Sequence, residues 1–204
     1  TINANDTDVV LGVLNVNSAA TLDINSTGTT TLEANVTSAA GNIALDGATN
    51  VVLAADLTVS TGGAGGNIDF TAGGNTNTLS GNFDLDLTAG TGNVEIDNVN
   101  NISSLDVTTS TVTTVSGTVN VVNHIDINAT SVATTAFINI DGNISAGGDL
   151  SLDADGTGGA GTNATVDVDA NLVSGGSITL TADTTAGADV AAITVNATQV
   201  SAAN

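Results

Sequence analysis

The sequence predicts an all-β fold: a parallel β-helix with about three strands per turn and roughly eight turns, each lying about 4.8 Å from the last. Three observations carry that prediction. A phrase recurs along the chain, apolar residues alternate within it, and the composition suits a narrow aliphatic interior.

The phrase is Gly-Asn-aliphatic-x-aliphatic. It stands at Gly41-Asn42-Ile43-Ala44-Leu45, Gly66-Asn67-Ile68-Asp69-Phe70, Gly92-Asn93-Val94-Glu95-Ile96 and Gly142-Asn143-Ile144-Ser145-Ala146, with a variant at Gly117-Thr118-Val119-Asn120-Val121. The copies are roughly 25 residues apart, and a fixed period in that range marks a repeat architecture. Aligned, they put Ile43, Ile68, Val94, Val119 and Ile144 in one inward column, and Leu45, Phe70, Ile96, Val121 and Ala146 in a second. Ala44, Asp69, Glu95, Asn120 and Ser145 then face outward, as a strand with one buried face requires. The column Asn42, Asn67, Asn93, Thr118 and Asn143 is placed for amide hydrogen bonding along the stack.

Taken in order, residues 1–40 are the least regular part, with short runs at Val13-Leu14-Asn15-Val16, Leu22-Asp23-Ile24 and Leu32-Glu33-Ala34. From Gly41 the wording is regular, and further strands fall between the copies of the phrase. Ile125-Asp126-Ile127, Leu150-Ser151-Leu152 and Ile178-Thr179-Leu180 make one series; Ile138-Asn139-Ile140, Val166-Asp167-Val168 and Ile193-Thr194-Val195 make another. The Gly- and Asn-rich stretches Thr61 to Gly66, Gly73 to Asn77 and Asp155 to Gly161 read as corner loops, because strand signals resume on either side. The whole of 1–204 is expected to be one solenoid segment; a chain beginning at Thr1 fits a mature segment or an excerpt of a longer repetitive one.

Hydrophobic residues are 41% of the chain but are mainly Val, Leu, Ile and Ala; Phe70, Phe83 and Phe137 are its only aromatics. That supply fills a thin coil in layers and not a thick globule. The competing all-β arrangement is a tandem of sandwiches, whose modules run to about 100 residues around a buried aromatic; this chain has no Trp or Tyr. Proline, which would interrupt strand pairing, is absent, and 24 glycines are available for turns with positive φ.

Against 21 Asp and Glu there is no Lys or Arg, for a formal net charge of -21. Phosphate neutralisation needs cations, so nucleic acid is excluded as a partner and anionic membrane surfaces are disfavoured. Such a surface calls for salt or bound cations to offset its self-repulsion. No apolar run approaches a membrane span, and with no cysteine there is no disulfide framework.

Gly147-Gly148-Asp149-Leu150-Ser151-Leu152 and Gly175-Gly176-Ser177-Ile178-Thr179-Leu180, with the phrase above, resemble the filamentous-haemagglutinin type of bacterial surface protein and related autotransporter passengers. The resemblance covers roughly residues 41–198. It implies a secreted, right-handed β-helix at the cell surface, acting as a stalk or adhesive filament. The absence of every Lys and Arg departs from the typical member. The partners expected are further coils of the same fibre, joined end to end or by chain continuation, and surface glycans or proteins of host or neighbouring cells.

No catalytic or cofactor-binding residue is predicted. His124 is the single histidine and reads as a polar residue at a turn edge. Asp84 with Asp86, and Asp167 with Asp169, have the spacing of paired carboxylates in polysaccharide-acting β-helix enzymes, but alternation turns both members of each pair outward. Calcium, a hard cation taking oxygen ligands, is the one metal the composition suits. Its weak candidates are Asp153 and Asp155, which with Gly156 open like a calcium loop; Gly62 to Asp69 faintly resembles a repeats-in-toxin nonapeptide. Asn-x-Ser/Thr occurs at Asn5, Asn25, Asn35, Asn101, Asn128, Asn143, Asn163 and Asn196, mostly by chance in so Asn- and Thr-rich a chain. The expected role is a non-enzymatic structural or adhesive one, with a calcium-dependent adhesion module and a polysaccharide-acting enzyme as alternatives.

Overall fold

The computed structural model describes residues 2–4, 8–17, 20–45, 50–63, 65–71, 78–109, 111–159, 161–185 and 189–203. These form strands and corners, with no helix among the described residues. The strands come in threes. β1 (Ile2–Ala4), β2 (Val9–Leu11) and β3 (Leu14–Val16) make the first coil, and β4 (Leu22–Ser26), β5 (Thr29–Leu32) and β6 (Val36–Ser38) the second. β7 (Ile43–Ala44), β8 (Asn50–Leu53) and β9 (Leu57–Ser60) follow, then β10 (Ile68–Asp69), β11 (Thr78–Ser80) and β12 (Leu85–Thr88). The fifth coil is β13 (Val94–Ile96), β14 (Asn98–Ile102) and β15 (Leu105–Thr109); the sixth is β16 (Val112–Val115), β17 (Val119–Val121) and β18 (Ile125–Ser131). β19 (Ala136–Ile140), β20 (Ile144–Ala146) and β21 (Leu150–Gly156) precede β22 (Ala164–Val168), β23 (Leu172–Ser174) and β24 (Ile178–Thr184), and β25 (Ala191–Val195) and β26 (Val200–Ala202) begin a ninth coil.

Each strand pairs, always in parallel, with the strand three before and three after it. The result is a sheet of nine strands from β1 to β25, a second of nine from β2 to β26, and a third of eight from β3 to β24. This is a parallel β-solenoid, and residues 1–40, for all their irregular wording, contribute its first strands.

Register builds the core. In the first sheet Leu22, Ile43, Ile68, Val94, Thr113, Ile138 and Val166 lie directly above one another. In the third, Leu57, Leu85, Leu105, Ile125 and Leu150 do the same. Nearly all are fully buried, and burying one such aliphatic side chain contributes about 1.5–3 kcal/mol. Phe70, in the corner just after β10, is 2% exposed.

The predicted columns need one correction. Ile43, Ile68 and Val94 do stack, but Val119 and Ile144 belong to the second sheet, above Val99 and below Leu172. The same division separates Val121 and Ala146 from Ile96, which pairs with Val115. The cause is coil length. Thr88 and Thr108 meet across 20 residues, Asn42 and Asn67 across 25, and Asn143 and Asn171 across 28. Short coils in the middle advance the chain by one sheet relative to an even period. The series through Ile125, Leu150 and Ile178, and through Ile138, Val166 and Ile193, stack as predicted.

The corners show what the repeated Gly-Asn wording does. The asparagine side chains do not bond one another. Each Oδ1 accepts the backbone N–H one coil later: Asn42 from Asn67 at 2.9 Å, Asn67 from Asn93 at 3.0 Å, Asn98 from Thr118 at 3.0 Å, and Asn143 from Asn171 at 3.1 Å. Asp149 does the same for Ser177 at 2.7 Å. These bonds satisfy corner amides that lie outside the strand ladders. The glycines of the phrase are not the left-handed ones, which are Gly62, Gly65, Gly81, Gly90 and Gly161. They are needed for close approach: a Cβ on Gly66 would fall on the carbonyl of Gly41, and one on Gly92 on the carbonyl of Gly66. The stretch Gly73 to Asn77 lies outside the described residues, as do Ala64 and Ala160 within the other two predicted loops.

β25 and β26 are covered on one side, by the eighth coil. Ile193, Val195 and Val200 are 47%, 41% and 49% exposed, although their register partners Val166, Val168 and Leu172 are at 0%.

Candidate functional site

The densest chemistry on the surface is an acidic stripe along the outer face of the third sheet. Alternation turns every second residue outward, and register then stacks like on like: Asp86 pairs with Asp106, and Asp106 with Asp126. Two and four residues further along β21, Asp153 lies over Asn128, and Asp155 over Thr130 with Asp183 on its other side. Carboxylates one rung apart are about 5 Å from each other, where like charges repel by about 1 kcal/mol even in water.

Two carboxyls respond. Partial burial pushes the Asp86 carboxyl above its usual range, and the charge of Asp106 adds to this; hydroxyls of Thr108 and Thr88 partly offset it. The Oδ1 of Asp86 is itself buried with no hydrogen-bond partner. Asp153 is raised for the same first reason, with Asp155, Asp126 and Asp183 adding to the effect. Asp56 and Asp84 complete the lower end of the stripe, beside a shallow cavity of about 320 Å³ that Asp86 and Asp106 also line, and the Asp84 N–H donates to Asp56 Oδ1 at 3.0 Å.

His124 sits at the edge of this stripe. Its Nε2 lies 3.0 Å and 3.3 Å from the two carboxylate oxygens of Asp106, and the ring is about half exposed. Sequence reading placed His124 at a turn edge and missed this partner. The signal was available in the register, which sets Ile125 on Leu105 and so places His124 diagonally across one rung from Asp106. Protonated, His124 is the one side chain able to place positive charge on the stripe.

Asp153 and Asp155 lie on β21, a regular seven-residue strand whose burial alternates, so their carboxylate-x-carboxylate-Gly spacing is here the spacing of an outward face. Among the described residues no group of three or more acidic, His or Cys side chains is arranged to hold a metal ion. The other predicted pair, Asp167 and Asp169, also divides: Asp167 has a buried Oδ1 without a partner, while Asp169 accepts from Asn196 Nδ2 at 2.7 Å.

Of the glycosylation sequons, Asn143 is held in the corner ladder, and Asn163 likewise accepts the N–H of Val190 at 3.0 Å. Asn101 stands out on a bulge in β14 with φ 61°; Asn5 lies outside the described residues. Among the described residues no helix is long and apolar enough to cross a membrane.

No family model matches the chain, and neither a curated protein nor a solved structure matches it.

Proposed function

We propose that the chain is a structural segment of an extracellular surface filament, a non-catalytic stalk in the style of the filamentous-haemagglutinin proteins it resembles. The observation that carries this reading is the unbroken stack: three parallel sheets of nine, nine and eight strands, in register around one continuous aliphatic core. Every coil presents the same backbone ladder to the next, so copies of the chain can stack end to end, and a head-to-tail contact of this kind propagates a filament.

The test is sedimentation and negative-stain electron microscopy across a concentration series. Rods that lengthen with concentration are expected, with Ile193→Lys plus Val200→Lys holding them at one unit. Single rods of one length up to about 100 μM, equal in the wild type and the double variant, would overturn the reading.

A calcium-dependent adhesion module is the second reading, favoured by the stacked carboxylates of Asp86, Asp106 and Asp126 and by Asp153, Asp155 and Asp183. Calorimetric calcium uptake with a chelator-sensitive melting temperature supports it; neither response removes it.

A further inference from the structure

We propose that the corner beyond β15 and β18 is a docking notch for an extended, uncharged polypeptide segment, which adds to the solenoid as a strand. The notch begins with a mismatch in strand length. β18 pairs with β21 over all seven residues, Ile125 to Ser131, but with β15 over only three, ending at Val107 and Ile127. β15 turns away because it carries a bulge: its register against β12 slips between Leu87 and Thr88, so that Thr88 faces Thr109. An extra residue in one strand bends it away from its neighbour.

Among the described residues, the last part of β18 therefore has no strand paired to its earlier side. Backbone groups of alternate residues point to opposite sides of a strand. The His124 carbonyl accepts from Leu105 in the coil before, and the Ile125 N–H donates to Asp149 in the coil after. Even-numbered residues thus face the earlier coil, and the N–H and C=O of Thr130 are directed where β15 has already left. Among the described residues no strand pairs with them there. Unpaired strand groups of this kind are the template for addition of a further strand.

The space beside this edge is a cavity of about 580 Å³. Thr130 to Thr134 wall it on one side, Gly62 and Gly63 on the other, with Thr91 and Thr111 between. Among the described residues its lining is Gly, Ala, Val, Ser and Thr alone, in a chain with a formal net charge of -21. An uncharged segment with small or aliphatic side chains matches it, while a charged one gains no counter-charge. A saccharide fits less well, since the lining has no aromatic platform and no side-chain amide or carboxylate to bind hydroxyls.

The experiment uses the full chain and a synthetic probe, the acetylated and amidated heptapeptide with the sequence of Ile127 to Ala133, read by calorimetry and by amide exchange. Like strands stack in parallel throughout the third sheet, so the part of this probe beyond its asparagine meets the unpaired end of β18 in register. Saturable binding that slows exchange of the Thr130 amide is expected. A probe N-methylated at its first alanine and its serine, which lacks the donors facing the Asn128 and Thr130 carbonyls, should bind at least about ten-fold more weakly. Gly63→Trp fills the notch from a position where an added Cβ meets nothing within 4 Å, and should abolish binding with the melting temperature unchanged. No binding of the heptapeptide, equal binding of the N-methylated probe, indifference to Gly63→Trp, or capture of maltotetraose in its place would each overturn the proposal.

Discussion

Replacing Gly92 with alanine tests whether stacked corners, and not turn dihedrals, explain the repeated glycine. Gly92 does not have a left-handed φ, so alanine costs nothing there in backbone conformation. Its new Cβ would, however, fall on the Gly66 carbonyl oxygen, and lie only 3.1 Å from the Asn67 nitrogen. Relief requires the two corners to separate by about 1 Å, against packing that resists an added methyl by about 1–3 kcal/mol. That movement stretches Ile68 N–H to Asn93 C=O at 2.9 Å and Asn93 N–H to Asn67 Oδ1 at 3.0 Å. Each such bond is worth about 1 kcal/mol. Alanine also stiffens the unfolded chain, returning about 0.4–1 kcal/mol. The net expectation is a loss of about 2–4 kcal/mol, or roughly 5–15 °C in melting temperature for a chain of this length. Gly159→Ala is the control: its Cβ meets nothing within 4 Å, and its φ is not left-handed, so only the stabilising part remains. Thermal melting by circular dichroism compares the two, and amide exchange at Asn67 and Asn93 localises the effect. Equal melting of Gly92→Ala and Gly159→Ala would refute the close-approach explanation.

Three further outcomes follow from the same geometry. Ile96→Asp puts a carboxylate at a position 1% exposed, where an unpaired buried charge costs about 3–5 kcal/mol; the coils around β13 should unfold, seen as loss of exchange protection in β10, β13 and β16. Asp86 and Asp153 have raised folded-state pKa values, so the folded chain takes up protons more readily than the unfolded one, and stability rises as pH falls toward the ordinary carboxylate range and is lost again as pH rises through the raised values. A melting temperature higher near pH 5 than at pH 7, with the difference reduced in Asp86→Asn, is expected from a pH series of melts. Asn67→Ala removes the acceptor for the Asn93 amide and should cost about 1 kcal/mol while speeding exchange at that amide.

Much of the fold was legible because alternation and stacking are written in side-chain type. Ile68 over Val94, Leu150 over Ile178 and Val166 over Ile193 were readable from wording alone. Val119 and Ile144 were misplaced because two corners of the solenoid use the same solution, a small residue for close approach followed by an Asn or Thr at the edge of the ladder. Identical wording then marks different sheets, and only the coil length distinguishes them. The setting of Asp153 and Asp155 on a strand was not legible for a related reason: outward acidic positions on a strand and the opening of a calcium loop share a spacing. The partner of His124 and the bulge that ends β15 depend on register across 18 to 20 residues, and no local pattern at Thr108 announces the slip.

Variable coil length around an invariant rise makes this chain divisible. Leu105 stands under Ile125 and Leu85 under Leu105, so excising residues 105–124 would set Ile125 on Leu85 with every apolar neighbour of the right kind. The product would be a shorter rod, by about 4.8 Å, with its cross-section intact. Length in such a molecule is a quantity that genetic duplication and deletion can adjust in single steps, without renegotiating the interior.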